Sequence, residues 1–220
     1  MKNCVLPFVA CLVIGEPVLG QIPDAFNPGT NSAVTIYAMA IKPDGQVMIA
    51  GHGAGFYTLA QINGDGSYDT NFQSLTFGEV AAIALQPDGK IVVTGYWNGT
   101  WITRFNRDGT TDPGFQPAFN NYMGGMSALA LQADGKILIG GNFFSYGEGI
   151  ARLNPDGSLD PNFNASVMFS VYGCCVGALA IQTDEKILIG GLFDRLDNEP
   201  RTSLGRINRD GTIDLPFETR

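Results

Sequence analysis

Ser127 to Gly141 reads Ser-Ala-Leu-Ala-Leu-Gln-Ala-Asp-Gly-Lys-Ile-Leu-Ile-Gly-Gly, and this stretch decides the fold. Ala128, Leu129, Ala130 and Leu131 alternate small and large, so a strand here places its leucines on one face and its alanines on the other. Gln132-Ala133-Asp134-Gly135 then supplies a tight turn: Asp suits its centre, and Gly takes the left-handed conformation that follows. Ile137-Leu138-Ile139 is apolar without alternation, the pattern of a strand covered on both faces. The whole is a hairpin with a bulge at the glycine.

The chain repeats this unit. The turn recurs as Lys42-Pro43-Asp44-Gly45, Gln86-Pro87-Asp88-Gly89 and Gln182-Thr183-Asp184-Glu185. In the last copy glutamate replaces glycine, and a left-handed Glu185 is expected to cost on the order of 1 kcal/mol. Alternating strands precede the turns at residues 38–41, 82–85 and 178–181, and apolar runs follow at 47–49, 91–93 and 187–189. A second hairpin follows in every copy. Its signature is Asn-x-Asp-Gly-Ser/Thr-x-Asp with Phe three residues on, from Asn63 to Phe72, Asn106 to Phe115, Asn154 to Phe163 and Asn208 to Phe217.

Turn aspartates Asp44, Asp88, Asp134 and Asp184 are about 44, 46 and 50 residues apart, the length of a four-stranded propeller blade. The period grows at one place, the loop after the second strand, shortest around His52 to Gly55 and longest from Leu192 to Ser203. Length that varies at one point while the strands hold marks a loop on one rim. The expected fold is therefore all-β: a four-bladed β-propeller of four-stranded antiparallel blades, closed or nearly closed. Residues 21–220 form one repeat domain, with repeats at about 32–73, 78–116, 124–164 and 174–218. A strand-end-like piece, Ala25 to Gly29, precedes the first repeat. It leaves one strand over, to complete a blade or to pair with a neighbouring molecule.

Residues 1–20 read as a signal peptide. Lys2 gives a positive start, Val5 to Gly15 is apolar but too short to span a bilayer, and Val18-Leu19-Gly20 offers a small-residue cleavage site before Gln21. A lipid-anchored version would use Cys11. The expected location is secreted or cell envelope, with no membrane insertion once the leader is removed.

The formal charge is −8, and loss of Lys2 and Glu16 with the leader leaves it unchanged. An acidic surface disfavours nucleic acid. Of four cysteines only Cys174 and Cys175 lie beyond the leader. In an oxidising compartment adjacent cysteines can form a strained ring with each other or bond to another chain, and the alternative is two unlinked thiols. Neither supplies the four ligands of a structural zinc site.

No catalytic constellation stands out. His52 is the only histidine and falls in the loop after the first repeat's second strand, with no recurring nucleophile or acid tied to it. The Asn-x-Asp-Gly loops resemble part of a calcium-binding loop. However, Gln61, Arg104, Arg152 and Arg206 stand where its first acid belongs, and phenylalanines stand where its closing glutamate belongs. No metal or cofactor is expected. Aromatic residues do gather at the rim loops: Tyr96, Trp97 and Trp101 in the second repeat, Phe143, Phe144 and Tyr146 in the third. Such groups stack on sugars or anchor proteins. The alternative for Trp101 is that it begins a strand and packs between blades.

The run from Leu131 to Phe143, followed by Ile150 to Phe163, resembles the bacterial delta-60 β-propeller repeat. The resemblance implies a propeller array on secreted or envelope-attached proteins and brings no established catalytic residues. The expectation is a non-enzymatic β-propeller that binds a protein or glycan through rim loops, as a monomer or as a dimer by blade pairing. Its alternatives are a structural segment of a larger surface assembly and a propeller-scaffold lyase or hydrolase.

Overall fold

The structure, a computed structural model, describes residues 34–53, 56–73, 75–77, 80–97, 100–117, 125–142, 149–168 and 175–217. Among these residues there is no helix. The first repeat forms a meander of β1 (Val34–Ile41), β2 (Val47–Gly53), β3 (Phe56–Ile62) and β4 (Leu75–Phe77). The second forms β5 (Val80–Leu85), β6 (Ile91–Trp97) and β7 (Thr100–Phe105), and the third β8 (Met126–Leu131), β9 (Ile137–Gly141) and β10 (Ile150–Leu153). The rest of the chain runs through β11 (Val167–Met168), β12 (Cys175–Ile181), β13 (Ile187–Leu192), β14 (Arg195–Leu196), β15 (Glu199–Pro200) and β16 (Leu204–Ile207). Here β12, β13 and β16 make the fourth repeat's sheet, and β11, β14 and β15 make a small fifth one. Every strand pair is antiparallel.

The first turn of each repeat closes as its sequence dictates. Gly45, Gly89 and Gly135 hold φ of 84°, 83° and 84°, and Glu185 holds 64°, so the turn keeps its shape without glycine. The Glu185 N–H donates to the Gln182 carbonyl at 2.9 Å, the distance found for Gly135 and Gln132. Each inner strand also carries a register shift at the same place, beside Tyr37, Ala81, Ser127 and Gly177.

The repeats stack face to face. Each has a leading face toward the repeat before it and a trailing face toward the repeat after it. In the third repeat Leu129, Leu131, Ile137 and Ile139 look back to Val92 and Ile102 of the second. Ala128, Ala130, Leu138 and Ile150 look forward to Ile187, Ile189 and Leu179 of the fourth. A third core joins Met48, Ala50 and Leu59 of the first repeat to Ile91, Val93 and Phe105 of the second. The alternation of alanine and leucine is thus the division between trailing and leading faces. Among the described residues no core joins the fourth repeat to the first, so ring closure within the chain is not among the observed contacts.

The outer strand differs from the expected one. After the second turn each repeat makes a single isolated bridge, Ile62 to Tyr68, Phe105 to Thr111, Leu153 to Leu159 and Ile207 to Ile213. Only the first repeat's sheet has four strands. The outer segment spends its backbone bonds elsewhere. The Asp112 N–H donates to Arg104 in its own hairpin, and the Gln116 N–H crosses to the Asp156 carbonyl of the next repeat at 2.8 Å. The same crossing joins Gln73 to Asp108 and Asn164 to Asp210. His52, expected in a loop, lies within β2 and pairs with Thr35 and Tyr57.

Candidate functional site: two ends of the repeat stack

Antiparallel topology sends the two kinds of connection to opposite ends. Both tight turns of every repeat lie at one end. The variable loops after β2, β6, β9 and β13 lie at the other, which is the rim where sequence placed the aromatic residues.

The turn end carries a buried ion cluster in each of the last three repeats. In the third, Arg152 Nε donates to Asp160 Oδ2 at 2.7 Å and Lys136 Nζ donates to the same oxygen at 2.7 Å. The Asn162 N–H fills Asp160 Oδ1 at 3.0 Å, and Arg152 Nη1 reaches Gln132 Oε1 at 3.4 Å. The guanidinium lies over the Phe163 ring, 4.6 Å from its centre. Arg104 and Asp112 with Lys90, and Arg206 and Asp214 with Lys186, repeat the arrangement over Phe115 and Phe217. A guanidinium stacked on an aromatic face while paired with a carboxylate satisfies charge and packing together. The unused Arg donors stitch repeats to one another: Arg104 donates to the Pro155 carbonyl and Arg152 to the Arg209 carbonyl.

These bonds hold the carboxylates ionised. The hydrogen bond from Lys90, working against burial and joined by the Gly114 N–H and Arg104, holds Asp112 down at about 2. For Asp160 burial pushes upward, and the bonds from Lys136, Asn162 and Arg152 outweigh it, again giving about 2. Asp214 is lowered chiefly by Lys186.

The first repeat builds the same cluster with its charges rearranged. Lys42 takes the glutamine position, Gln46 the lysine position and Gln61 the arginine position. Gln61 Nε2 donates to Asp69 Oδ2 at 2.6 Å, and Lys42 Nζ bridges Gln46 Oε1 at 2.8 Å and Gln61 Oε1 at 3.0 Å.

The second turns are closed by their own side chains. Asp65, Asp108, Asp156 and Asp210 each accept the hydroxyl and the backbone N–H of the Ser or Thr two residues on. Those bonds, hydroxyl first, lower all four carboxyls. They are Asx turns, in which Oδ1 of each aspartate is engaged by its own turn. Among the described residues no group of three or more His, Cys, Asp or Glu side chains is placed to hold a metal ion.

At the rim, Trp101 stands in β7, half-buried against the core between the second and third repeats. Tyr96 and Trp97 end β6, where the Trp97 backbone pairs with Thr100. Phe143, Phe144, Tyr146 and Cys174 lie outside the described residues, and Cys175 opens β12 opposite Leu192. The fourth rim loop, long in sequence, is a hairpin. β14 and β15 turn on Asp197 and Asn198, both at positive φ (47° and 68°), and β11 pairs with β14. Phe193 and Leu196 anchor it in the core beside Val167. Asp197 Oδ1 accepts the Ser166 N–H at 3.0 Å, while burial raises its carboxyl. Asp and Asn tolerate the left-handed conformation that this two-residue turn needs. The ion clusters were readable only as recurring cations. Their pairing needs the hairpin that brings residues eight apart together.

Sheets of one antiparallel unit, stacked face to face through shared apolar cores, define a β-propeller repeat protein. Residues 86–115, 132–163 and 182–217 match the family described as "Domain of unknown function (DUF5122) beta-propeller". The matched segments run from the first turn to the phenylalanine of the second, third and fourth repeats, the three that carry the Arg–Asp–Lys cluster. No curated protein matches the chain. Among solved structures, a protein of unknown function from Bacteroides caccae is similar at TM-score 0.55 and 16% identity, over 82% of this chain and 66% of that one. Virginiamycin B lyase from Staphylococcus aureus is similar at 0.52 and 17%, over 81% and 54%. PorZ, a surface component of the type-IX secretion system of Porphyromonas gingivalis, is similar at 0.52 and 13%, over 84% and 28%. The chain thus spans less than two thirds of the length of each, and at these identities the likeness is one of fold.

Proposed function

We propose that this chain is a non-enzymatic run of four β-propeller blades of the delta-60 kind, exported by residues 1–20, that binds a protein or glycan partner through its rim loops. The observation that carries the reading is the contrast between the two ends. At the turn end the same buried ion cluster recurs, with every described carboxylate engaged by its own repeat, which suits a scaffold. At the rim the four connections differ in length and composition, and one has become an anchored hairpin. A stack that keeps one end constant and varies the other is built to present loops. Trp97, Phe143, Phe144 and Tyr146 supply flat apolar groups suited to sugar rings or a protein hot spot.

The test is binding of the chain to an array of glycans and extracellular proteins, with Trp97→Ala and Phe144→Ala beside it. Loss of a bound signal in either variant by tenfold or more is expected. Signals that are equal across all three proteins would remove the rim from the account. A reaction product released from an arrayed ligand would instead favour the lyase or hydrolase alternative.

A further inference from the structure

We infer that the leading face of the first repeat and the trailing face of the fourth are the two halves of one joint, and that they meet between two copies of this chain. Every exposed large hydrophobic side chain among the described residues belongs to the first or the fourth repeat. Met39 and Ile41 on the first leading face are 39% and 51% exposed. Leu204 on the fourth trailing face is 40% exposed, while Leu59, Ile102 and Ile150, at the same place in the other repeats, are 1% exposed or less. Ala178 is exposed where Ala128 is buried, and Val47 and Ile49 are half-buried where Ile137 and Ile139 are fully covered. Ala60 and Ile62, farther out on the first leading face, are buried, so the open part is the inner half.

The polar half of the joint is vacant in the same way. Arg104 and Arg152 each donate to a backbone carbonyl one residue past the second-turn asparagine of the next repeat. Arg206 occupies their position. Among the described residues its Nη1 donates to Gln182 Oε1 at 3.1 Å and to no other repeat, and its side chain is 22% exposed against 9% and 6%. The carbonyl that would receive it is that of Gly64, an exposed residue. The chain forms the apolar core of this joint three times internally and its arginine crossing twice, so its two ends are complementary by descent from one interface. Both ends are present in a single chain and both are uncovered there, so the chain alone does not bring them together.

The occupant is therefore a second copy, joined head to tail. Two such joints related by a two-fold axis close eight repeat sheets into a ring, within the range of propellers; a heterologous joint that failed to close would give a filament instead.

The experiment is the solution mass of the full chain by light scattering, with Leu204→Glu and Met39→Glu each alone and then mixed. Circular dichroism confirms that the variants are folded, since both sites are exposed in the single chain. The wild type is expected at twice the chain mass and each variant at one chain mass. The equimolar mixture is expected to recover a two-chain species through its one intact joint. That recovery is specific to head-to-tail pairing. A wild type at one chain mass means in-chain closure or an unused face and overturns the inference, as does a mixture that stays monomeric. Neither result bears on the rim, so this inference and the proposed ligand binding fail separately.

Discussion

The third and fourth repeats carry nearly the same residues and live in different surroundings. Ile150 and Leu204 sit at one position of the unit, and Arg152 and Arg206 at another. Ile150 is sealed and Leu204 open; Arg152 crosses to the next repeat and Arg206 stays at home. The difference teaches that burial in this protein is conferred by the neighbour and not by the unit. One antiparallel sheet covers only its own backbone groups, and a repeat needs two neighbours before both of its faces leave water.

The sharpest way to break that comparison is to truncate the matched pair. Ile150→Ala removes fully buried methyl groups between two repeats and is expected to cost about 2–5 kcal/mol in denaturant unfolding. Leu204→Ala, measured in dilute solution where the end face is uncovered, is expected to cost less than about 1 kcal/mol. Equal losses would show that Leu204 is already covered within the chain.

A second way uses acid. Asp112 and Asp160 have folded values near 2, depressed from an ordinary value near 4. Their contribution to stability is fully present above pH 4 and is lost as pH falls from about 4 toward 2, because the unfolded chain then binds protons that the folded one refuses. Asp160→Asn is expected to flatten stability against pH in that window. The first repeat, whose Asp69 accepts from two glutamines, provides the contrast: Asp69→Asn is expected to change the slope less. A profile identical to wild type in Asp160→Asn would show that the ion cluster does not hold its carboxylate low.

The smallest effect concerns the turn that lost its glycine. Glu185→Gly relieves a left-handed non-glycine residue, a gain of about 1 kcal/mol. It also removes an exposed, solvent-screened ion pair to Arg209 at 2.6 Å, which offsets part of that gain. The net expectation is a midpoint of thermal unfolding that is unchanged or slightly raised. A clear fall would mean that the Arg209 link to Asp134 and Glu185 holds the third and fourth repeats together more strongly than an exposed pair should.

Much of the fold was legible because it is local. Alternation in Ala128 to Leu131 named the two faces, and the Asp-Gly steps named the turns. The outer strand was not legible: Phe115 and Phe163 look like strand ends, but the bonds that decide their fate go to Asp112 and Asp160 and to the next repeat. The hairpin of β14 and β15 was hidden for a different reason. Read against the other repeats, residues 192–203 look like extra loop, and only the packing of Phe193 and Leu196 on Val167 gives them a place. For the candidate site, the rim aromatics were legible as a grouping. The ion clusters were not, since Arg152 and Asp160 meet only once the second hairpin has formed.

The most direct measurement is thiol labelling of Leu204→Cys and Ile150→Cys in a background lacking Cys174 and Cys175. Position 150 should be protected at every protein concentration. Position 204 should react freely when the protein is dilute and become protected as concentration rises. Protection at 204 that is as strong as at 150 and independent of dilution would contradict the account.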